Sequence, residues 1–131
     1  MPKKKILLID DEANFTHLLK LNLEASGGYE VREVNKGLEG LDAAREYKPD
    51  LIFLDIIMPD IAGGDLASMI RSDETIGHTP IIFLTAIVSR DETVDHGGFI
   101  GGYPCVAKPV NLEEIIDVIE KHGNGRKKAG G

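Results

Sequence analysis

The sequence has few of the features that mark secreted, membrane-spanning or metal-stapled proteins. Its 131 residues include one cysteine, Cys105, which excludes an internal disulfide and a cysteine-rich zinc site. Its apolar runs are far shorter than the roughly 20 residues that a membrane-spanning helix needs. The basic segment Met1–Lys5 precedes only a short apolar stretch, Ile6–Ile9, which is too short for a signal peptide. These absences predict a cytoplasmic protein without membrane contact.

Excess positive charge and glycine-rich nucleotide motifs are also lacking. The net charge is −7 and the isoelectric point is about 5.0. Residues 1–122 alone hold 12 basic and 22 acidic residues, a net charge of −10. This balance argues against direct nucleic-acid binding. Neither Gly-x-Gly-x-x-Gly nor a Walker A sequence occurs, which argues against a nucleotide-binding module.

Five short segments predict the strands of a sheet. Three of them are almost continuously apolar, Lys5–Ile9, Leu51–Leu54 and Ile81–Leu84, which indicates burial on both faces of a parallel sheet. Glu30–Val34 alternates between apolar and polar residues and is typical of an edge strand. Pro104–Ala107 is predicted as the fifth strand.

Helical patterns separate the predicted strands. Apolar periodicity predicts a first helix near residues 12–26, ended by Gly27-Gly28, and second and third helices around Leu41 and Leu66. Capping-box spacing at Ser89–Glu92 and Asn111–Glu114 predicts the starts of a fourth and a fifth helix.

The alternation of strands and helices predicts the fold class. It favours a single α/β domain, a doubly wound (βα)5 flavodoxin-like unit whose five-stranded parallel sheet has the order 2-1-3-4-5. The domain is expected to span residues 1–122. Residues 123–131 lack large apolar side chains, so we expect a flexible tail or a linker remnant there.

Polar residues occur where the predicted strands end. Asp10 and Asp11 follow the first strand, Asp55 the third, Thr85 the fourth and Lys108 the fifth. Ligands of open α/β sheets bind at the carboxyl ends of the strands, so these side chains are expected to converge. Three neighbouring carboxylates repel one another, and Mg²⁺ with its preference for oxygen ligands relieves that repulsion. The set therefore predicts phosphoryl transfer, with Asp55 as the nucleophile.

Each of these residues also has a simpler interpretation. A single aspartate after a strand is more often the cap of the next helix, Thr85 fits a strand and Lys108 fits a solvated surface. The functional interpretation depends on the set occurring together.

Four segments resemble the receiver domain of two-component response regulators in both order and spacing, and the match covers about residues 3–122. They are Ile9–Glu12, Leu54–Pro59 followed by Gly63-Gly64, Leu84–Ala86 and Lys108–Val110.

The resemblance implies a metal-assisted phosphoacceptor. Asp55 would accept a phosphoryl group from a histidine of a sensor histidine kinase or of a histidine phosphotransfer protein. Asp10, Asp11, Asp55 and the backbone carbonyl of Ile57 would bind Mg²⁺.

The resemblance also implies how the phosphoryl group is held and how the domain responds to it. Thr85, Lys108 and the backbone N–H of Ala86 would contact the group, and the Lys108-Pro109 peptide bond would be cis. Members of this family act as switches and assist only their own phosphorylation and dephosphorylation. The surface of the fourth helix, fifth strand and fifth helix would then control a downstream effector.

The chain departs from the family pattern at three places. Cys105 occupies a position that is usually aromatic, and Gly97–Gly102 predicts a loop after a short fourth helix. Ile57 and Ile87 offer no hydrogen bond to an attacking water, which predicts slow self-dephosphorylation.

Two alternative functions remain open from the sequence. A phosphohydrolase with an aspartyl nucleophile usually has a second aspartate two residues later, and here that residue is Ile57. A flavodoxin-like interaction module that is never phosphorylated is the other alternative.

Overall fold

The computed structural model describes residues 2–86, 99–100 and 102–123, and within them six strands form one sheet. The strands are β1 (Lys4–Ile9), β2 (Tyr29–Val34), β3 (Leu51–Asp55), β4 (Ile81–Thr85), β5 (Phe99–Ile100) and β6 (Tyr103–Ala107). Their order is β2-β1-β3-β4-β6-β5. All but β5 are parallel, so the five parallel strands have the predicted order 2-1-3-4-5.

The short strand β5 corrects the expected loop at residues 99 and 100, whereas residues 97, 98 and 101 of that loop lie outside the described residues. Phe99 and Ile100 pair with Pro104 and Tyr103 in an antiparallel ladder. Gly102, directly before β6, has a φ of +87°, a conformation that glycine adopts without strain. The pairing also extends β6 to Tyr103, one residue earlier than predicted.

Four α-helices are described in the same residues. They are α1 (Ala13–Ser26), α2 (Gly40–Tyr47), α3 (Gly63–Arg71) and α4 (Leu112–Gly123), and a short 3₁₀ helix at Gly37–Glu39 precedes α2. α1 ends at Ser26, and Gly27 directly after it has a φ of +86°, which stops the helix where predicted. Asn111 Oδ1 accepts the N–H of Glu114 at 2.7 Å, which confirms the predicted cap of α4.

Three predictions fall wholly or mostly on residues that the structure does not describe. The fourth helix expected at Ser89–Glu92 lies outside the described residues, as does Ile87. Gly123 is buried as the last residue of α4, and the rest of the expected tail, residues 124–131, is likewise outside them. No described helix has the length and apolar character needed to span a bilayer.

The core forms two layers because side chains alternate along each buried strand. Leu7 and Ile9 of β1 pack with α2 and α3, whereas Ile6 and Leu8 pack with α1 and α4. All four side chains are fully buried. Burial on both faces is what the continuous apolar pattern of the parallel strands predicted.

The strand register brings several strand ends to one edge of the sheet. Ile9 pairs with Leu54, so the residue that follows each of them lies at the same level. Asp55 pairs with Leu84, and Thr85 pairs with Ala107. The next residues along the chain, Asp10 and Lys108 among them, therefore reach the carboxyl-terminal edge, the ligand-binding edge of α/β sheets.

Candidate functional site

Three carboxylates lie together at the carboxyl-terminal edge of the sheet. Asp10 and Asp11 follow β1, and Asp55 is the last residue of β3. One carboxylate oxygen from each lies within 4.8 Å of those of the other two. Asp10 is fully buried and Asp55 is 7% exposed, whereas Asp11 is exposed to solvent. The cluster is therefore accessible to an ion from the side of Asp11.

Asp10 both shapes the backbone and faces the site. Its Oδ1 accepts the N–H of Glu12 at 2.9 Å, the local bond by which an aspartate stabilises a turn before a helix. Its Oδ2 points to the Lys108 ammonium, 2.7 Å away. The helix-start interpretation and the functional interpretation thus apply to different oxygens of one carboxylate.

Asp55 is a carboxylate held in an unfavourable environment. Burial raises its pKa to about 6, with further upward contributions from the charges of Asp10 and Asp11. The charge of Lys108 and the N–H of Ile57, 3.4 Å from Asp55 Oδ1, partly oppose this rise in pKa. Above this pKa the carboxylate is ionised and repelled by its neighbours, so it gains from any positive charge that enters the site.

Gly63 keeps the loop after Asp55 close to the sheet. Its N–H donates to the carbonyl of Ile56 at 2.7 Å. A Cβ at this position would overlap the Asp55 carbonyl oxygen, so a side chain here would displace the backbone beside the carboxylate. Ile57 lies on this loop with its side chain 59% exposed.

Lys108 supplies the positive charge of the site. Its Nζ lies 2.7 Å from Asp10 Oδ2 and 2.7 Å from Glu12 Oε1, but 3.8 Å from Asp55 Oδ2. It also lies 4.6 Å from the centre of the Phe15 ring, within the range of a cation–π interaction. Burial alone lowers the pKa of Lys108, but its acidic partners Asp10, Glu12 and Asp55 raise it above the ordinary value.

Backbone pairing places Lys108 beside Thr85. The N–H of Lys108 donates to the carbonyl of Thr85 at 2.9 Å, and the Lys108-Pro109 peptide is cis, as the resemblance implies. Thr85 is 1% exposed at the end of β4, and the next residue, Ala86, is exposed. The end of β4 and the start of the segment after β6 therefore form one side of the acidic cluster.

The residues present fit Mg²⁺. The cluster offers oxygen ligands from carboxylates, the donors that this ion prefers. Asp10 Oδ2 is buried and lies 2.7 Å from the Lys108 ammonium. Three carboxylates beside this ammonium leave excess negative charge in the described cluster, which a divalent cation would offset.

The sequence pattern did not indicate three neighbours of the site. Glu12 and Phe15 both contact the Lys108 ammonium. Glu12 directly precedes α1 and Phe15 lies in its first turn, and this spacing of three residues was the available signal. The third is Asn35 after β2, whose amide donates to the Asp10 carbonyl at 2.8 Å, and no local pattern identifies such a contact.

Tyr103 lies on the same face of β6 as Cys105. Both residues belong to the core cluster on the side of α2 and α3. The ring of Tyr103 meets the ring of Phe83 edge to face, with 5.1 Å between the ring centres. The Arg71 guanidinium lies 5.5 Å from the centre of the Tyr103 ring. An aromatic residue is thus present on this face, two positions before the buried cysteine.

Comparisons with known proteins identify relatives over nearly the whole chain. A family model described as the response regulator receiver domain matches residues 6–120. The polar-differentiation response regulator DivK of Brucella anthropi is 35% identical over 124 residues, which cover 93% of this chain and 97% of that protein. DivK of Brucella ovis is 33% identical, covering 91% of this chain and 95% of that protein.

Solved structures give the same result for the fold. A CheY-like response regulator receiver domain protein from Methanospirillum hungatei has a TM-score of 0.79 at 26% identity, covering 97% of this chain and 98% of that one. The chemotaxis protein CheY4 of Vibrio cholerae has a TM-score of 0.77 at 26% identity, covering 92% of this chain and 98% of that one.

Proposed function

The chain belongs to the response regulator receiver domains, and we propose that it is a phosphorylation-dependent switch with Asp55 as its phosphoacceptor. The observation that carries this proposal is the convergence of Asp10, Asp11 and Asp55 within 4.8 Å, with Lys108 beside them. The three carboxylates repel one another, and a divalent cation would relieve that repulsion, while Lys108 supplies positive charge for the oxygens of an incoming phosphoryl group.

The reaction is a transfer of a phosphoryl group from a phosphohistidine. An oxygen of the ionised Asp55 attacks phosphorus, an O–P bond forms and the P–N bond breaks. The electron pair of the broken bond stays on the histidine nitrogen, which takes up a proton. Because the pKa of Asp55 is about 6, its carboxylate is mostly ionised at neutral pH and is able to act as the nucleophile.

Asp10, Asp11, Asp55 and the carbonyl of Ile57 would hold Mg²⁺, which when bound supplies positive charge to the phosphoryl oxygens. Lys108, Thr85 and the N–H of Ala86 would orient the same oxygens. The 3.8 Å between Lys108 Nζ and Asp55 Oδ2 supports this assignment, because the ammonium already lies beside the attacking carboxylate.

The phosphodonor is a histidine of a sensor kinase or of a histidine phosphotransfer protein. Its histidine has to reach Asp55, so its contact surface must border the carboxyl-terminal edge of the sheet. An apolar groove of about 510 Å³ begins there, between α1 and the segment after β6. Lys108 and Ala86 are among the residues that line the groove, as is Leu18, which is 61% exposed. We assign this groove to the donor's histidine-bearing surface.

The output is a change in the surface around β6 and α4 that controls a downstream effector. Thr85 pairs with Ala107 of β6, so a shift of Thr85 toward a phosphoryl group is transmitted to this strand. Cys105 and Tyr103 lie on β6 before Ala107, and their packing would change when the strand shifts. In this function the chain changes state rather than turning over an external substrate.

Phosphorylation by acetyl phosphate with Mg²⁺, followed by intact-protein mass spectrometry, tests the proposal. The wild type should gain the mass of one phosphoryl group, and Asp55→Asn should gain none, because an amide is not a nucleophile for phosphorus. Asp42→Asn, on the exposed surface of α2, is the matched control and should behave as the wild type.

Two results would contradict the proposal. One is an unmodified wild type under conditions in which Mg²⁺ binding is demonstrated. The other is a phosphorylated Asp55→Asn. Multiple turnovers of p-nitrophenyl phosphate by the wild type would instead favour the phosphohydrolase.

A further inference from the structure

A partly buried polar network lies next to the acidic cluster, and phosphoryl transfer does not use it. Asn35 Nδ2 lies 2.8 Å from the carbonyl oxygen of Asp10 and 2.9 Å from Thr16 Oγ1. Thr16 Oγ1 lies 2.7 Å from Glu33 Oε1. Thr16 is fully buried, although it is a polar residue on a helix. Polar groups joined by several hydrogen bonds restrict the backbone to which they are bonded.

The direction of each bond follows from the chemistry of the groups. A carbonyl oxygen only accepts, so the side-chain amide of Asn35 must present its NH₂ to Asp10. Its two protons then go to Asp10 and Thr16. The single hydroxyl proton of Thr16 is best donated to the Glu33 carboxylate, at 2.7 Å, since the alternative acceptor, the carbonyl of Ala13, is 3.1 Å away.

The network fixes the peptide that carries the acidic pair. The N–H of Asp10 donates to the carbonyl of Val34 at 3.0 Å, and the carbonyl of Asp10 accepts from Asn35 at 2.8 Å. That carbonyl belongs to the planar peptide group joining Asp10 to Asp11. Holding it therefore sets where the chain leaves β1 and how the Asp11 side chain approaches Asp10 and Asp55.

We propose that Asn35, held in place by Thr16 and Glu33, is a positioning residue that orients the Asp10-Asp11 peptide and thereby sets the cation affinity of the acidic cluster. The inference rests on the proposed function, because it assigns a purpose to a contact beside that site. Groups that orient metal ligands commonly change metal affinity by about 10-fold or more when they are removed.

Calorimetric titration of the full chain with MgCl₂ tests the inference without measuring phosphorylation. Asn35→Ala should raise the Kd for Mg²⁺ by about 10-fold. Thr16→Val should raise it by a smaller factor, because Asn35 remains but loses one partner. Thr16→Ser, which keeps the hydroxyl, should restore the wild-type Kd. Asn22→Ala, an exposed asparagine on α1, is the matched control and should leave the Kd unchanged.

The outcomes separate this inference from the proposed function. A wild type that neither binds Mg²⁺ nor accepts a phosphoryl group overturns both. A wild type that does both, beside an Asn35→Ala variant with an unchanged Kd, overturns only the inference. Urea unfolding without Mg²⁺ identifies a merely structural role, in which stability falls while the Kd stays constant. If Asn35→Ala does not fold, the comparison of Thr16→Val with Thr16→Ser decides.

Discussion

The two ends of the central sheet differ in whether their acidic side chains are matched by donors and positive charges of the chain. At the amino-terminal end, acidic groups meet donors. Glu120 of α4 lies 3.1 Å from Lys4 Nζ and accepts the Tyr29 hydroxyl at 2.7 Å. Asp50, just before β3, accepts the N–H of Lys5 at 2.8 Å. Each of these contacts pairs an acidic side chain with a donor of the described chain, so Glu120 and Asp50 need no cation from outside it.

At the carboxyl-terminal end, Asp10, Asp11 and Asp55 lie close together beside one ammonium group, that of Lys108, which also contacts Glu12. The acidic charge of this end therefore exceeds its basic charge within the described cluster. The amino-terminal end shows that this chain is able to pair acidic side chains near the strand ends with its own donors. Excess acidic charge at the carboxyl-terminal end therefore indicates a cationic partner from outside the chain.

Replacing a lysine at each end of the sheet should give the largest difference between the ends in the free energy of unfolding. Lys108→Met leaves the fully buried Asp10 without its ion-pair partner, so we expect the free energy of unfolding without divalent cations to fall by about 3 kcal/mol. Lys4→Met breaks a pair whose Glu120 side chain is 49% exposed, and the loss should be at most about 1 kcal/mol. Urea denaturation of both variants in EDTA measures the two losses.

Equal losses for the two lysine variants would remove the distinction between the ends. Added Mg²⁺ sharpens the test, since a cation that binds beside Asp10 should recover part of the stability of Lys108→Met and none of that lost in Lys4→Met.

Neutralising one aspartate at each end should give effects of opposite sign. Asp55→Asn removes a carboxylate that burial and its neighbours disfavour, and it should raise the free energy of unfolding at pH 8 by about 2 kcal/mol without divalent cations. Asp50→Asn should lower it by less than about 1 kcal/mol, because the amide oxygen still accepts from Lys5 but lacks the charge.

The pH dependence identifies the cause of the Asp55 effect. The pKa of Asp55 rises from 3.8 to about 6 on folding, so its contribution to stability is fully present below 3.8 and is lost as the pH rises through 6. The advantage of Asp55→Asn over the wild type should therefore appear between these two pH values and stay constant above them. An advantage that persists at pH 3 would show that packing rather than charge is responsible.

The acidic cluster at the carboxyl-terminal end could largely be predicted from the sequence, because its residues directly follow recognisable strands. The apolar pattern of Leu51–Leu54 locates a buried strand, and Asp55 directly after it must lie at the strand's carboxyl end. The strand order then brings distant strand ends together without any knowledge of side-chain contacts.

Contacts that depend on tertiary orientation could not be predicted in this way. The distances from Lys108 to Glu12 and to Asp10 are equal, and neither follows from spacing along the chain. The bond from Asn35 to the Asp10 carbonyl joins residues 25 positions apart through a backbone acceptor that every residue has. β5 could not be predicted because Phe99–Ile100 is shorter than any periodic signal.

Mg²⁺ should stabilise the chain through the carboxyl-terminal end alone. At ten times its Kd the ion should add about 1.4 kcal/mol to the free energy of unfolding of the wild type. Asp11→Asn should abolish this gain while changing the cation-free stability by no more than about 0.5 kcal/mol, because Asp11 is exposed. Thermal unfolding with MgCl₂ and with EDTA measures both effects, and Asp42→Asn should keep the full gain. Stabilisation that survives in Asp11→Asn would place the ion elsewhere.

The smallest expected effect tests whether the amino-terminal end is independent of the site. Burial and the Glu120 carboxylate raise the pKa of Tyr29, so its hydroxyl stays protonated and donates to Glu120. Tyr29→Phe removes this hydrogen bond and should lower the free energy of unfolding by about 1 kcal/mol. The Kd for Mg²⁺ should stay unchanged, because the lost bond lies at the opposite end of the strands from Asp10. A shift in that Kd would show that the two ends are coupled through β1 and β2, and charge balance at the amino-terminal end would then be part of the switch.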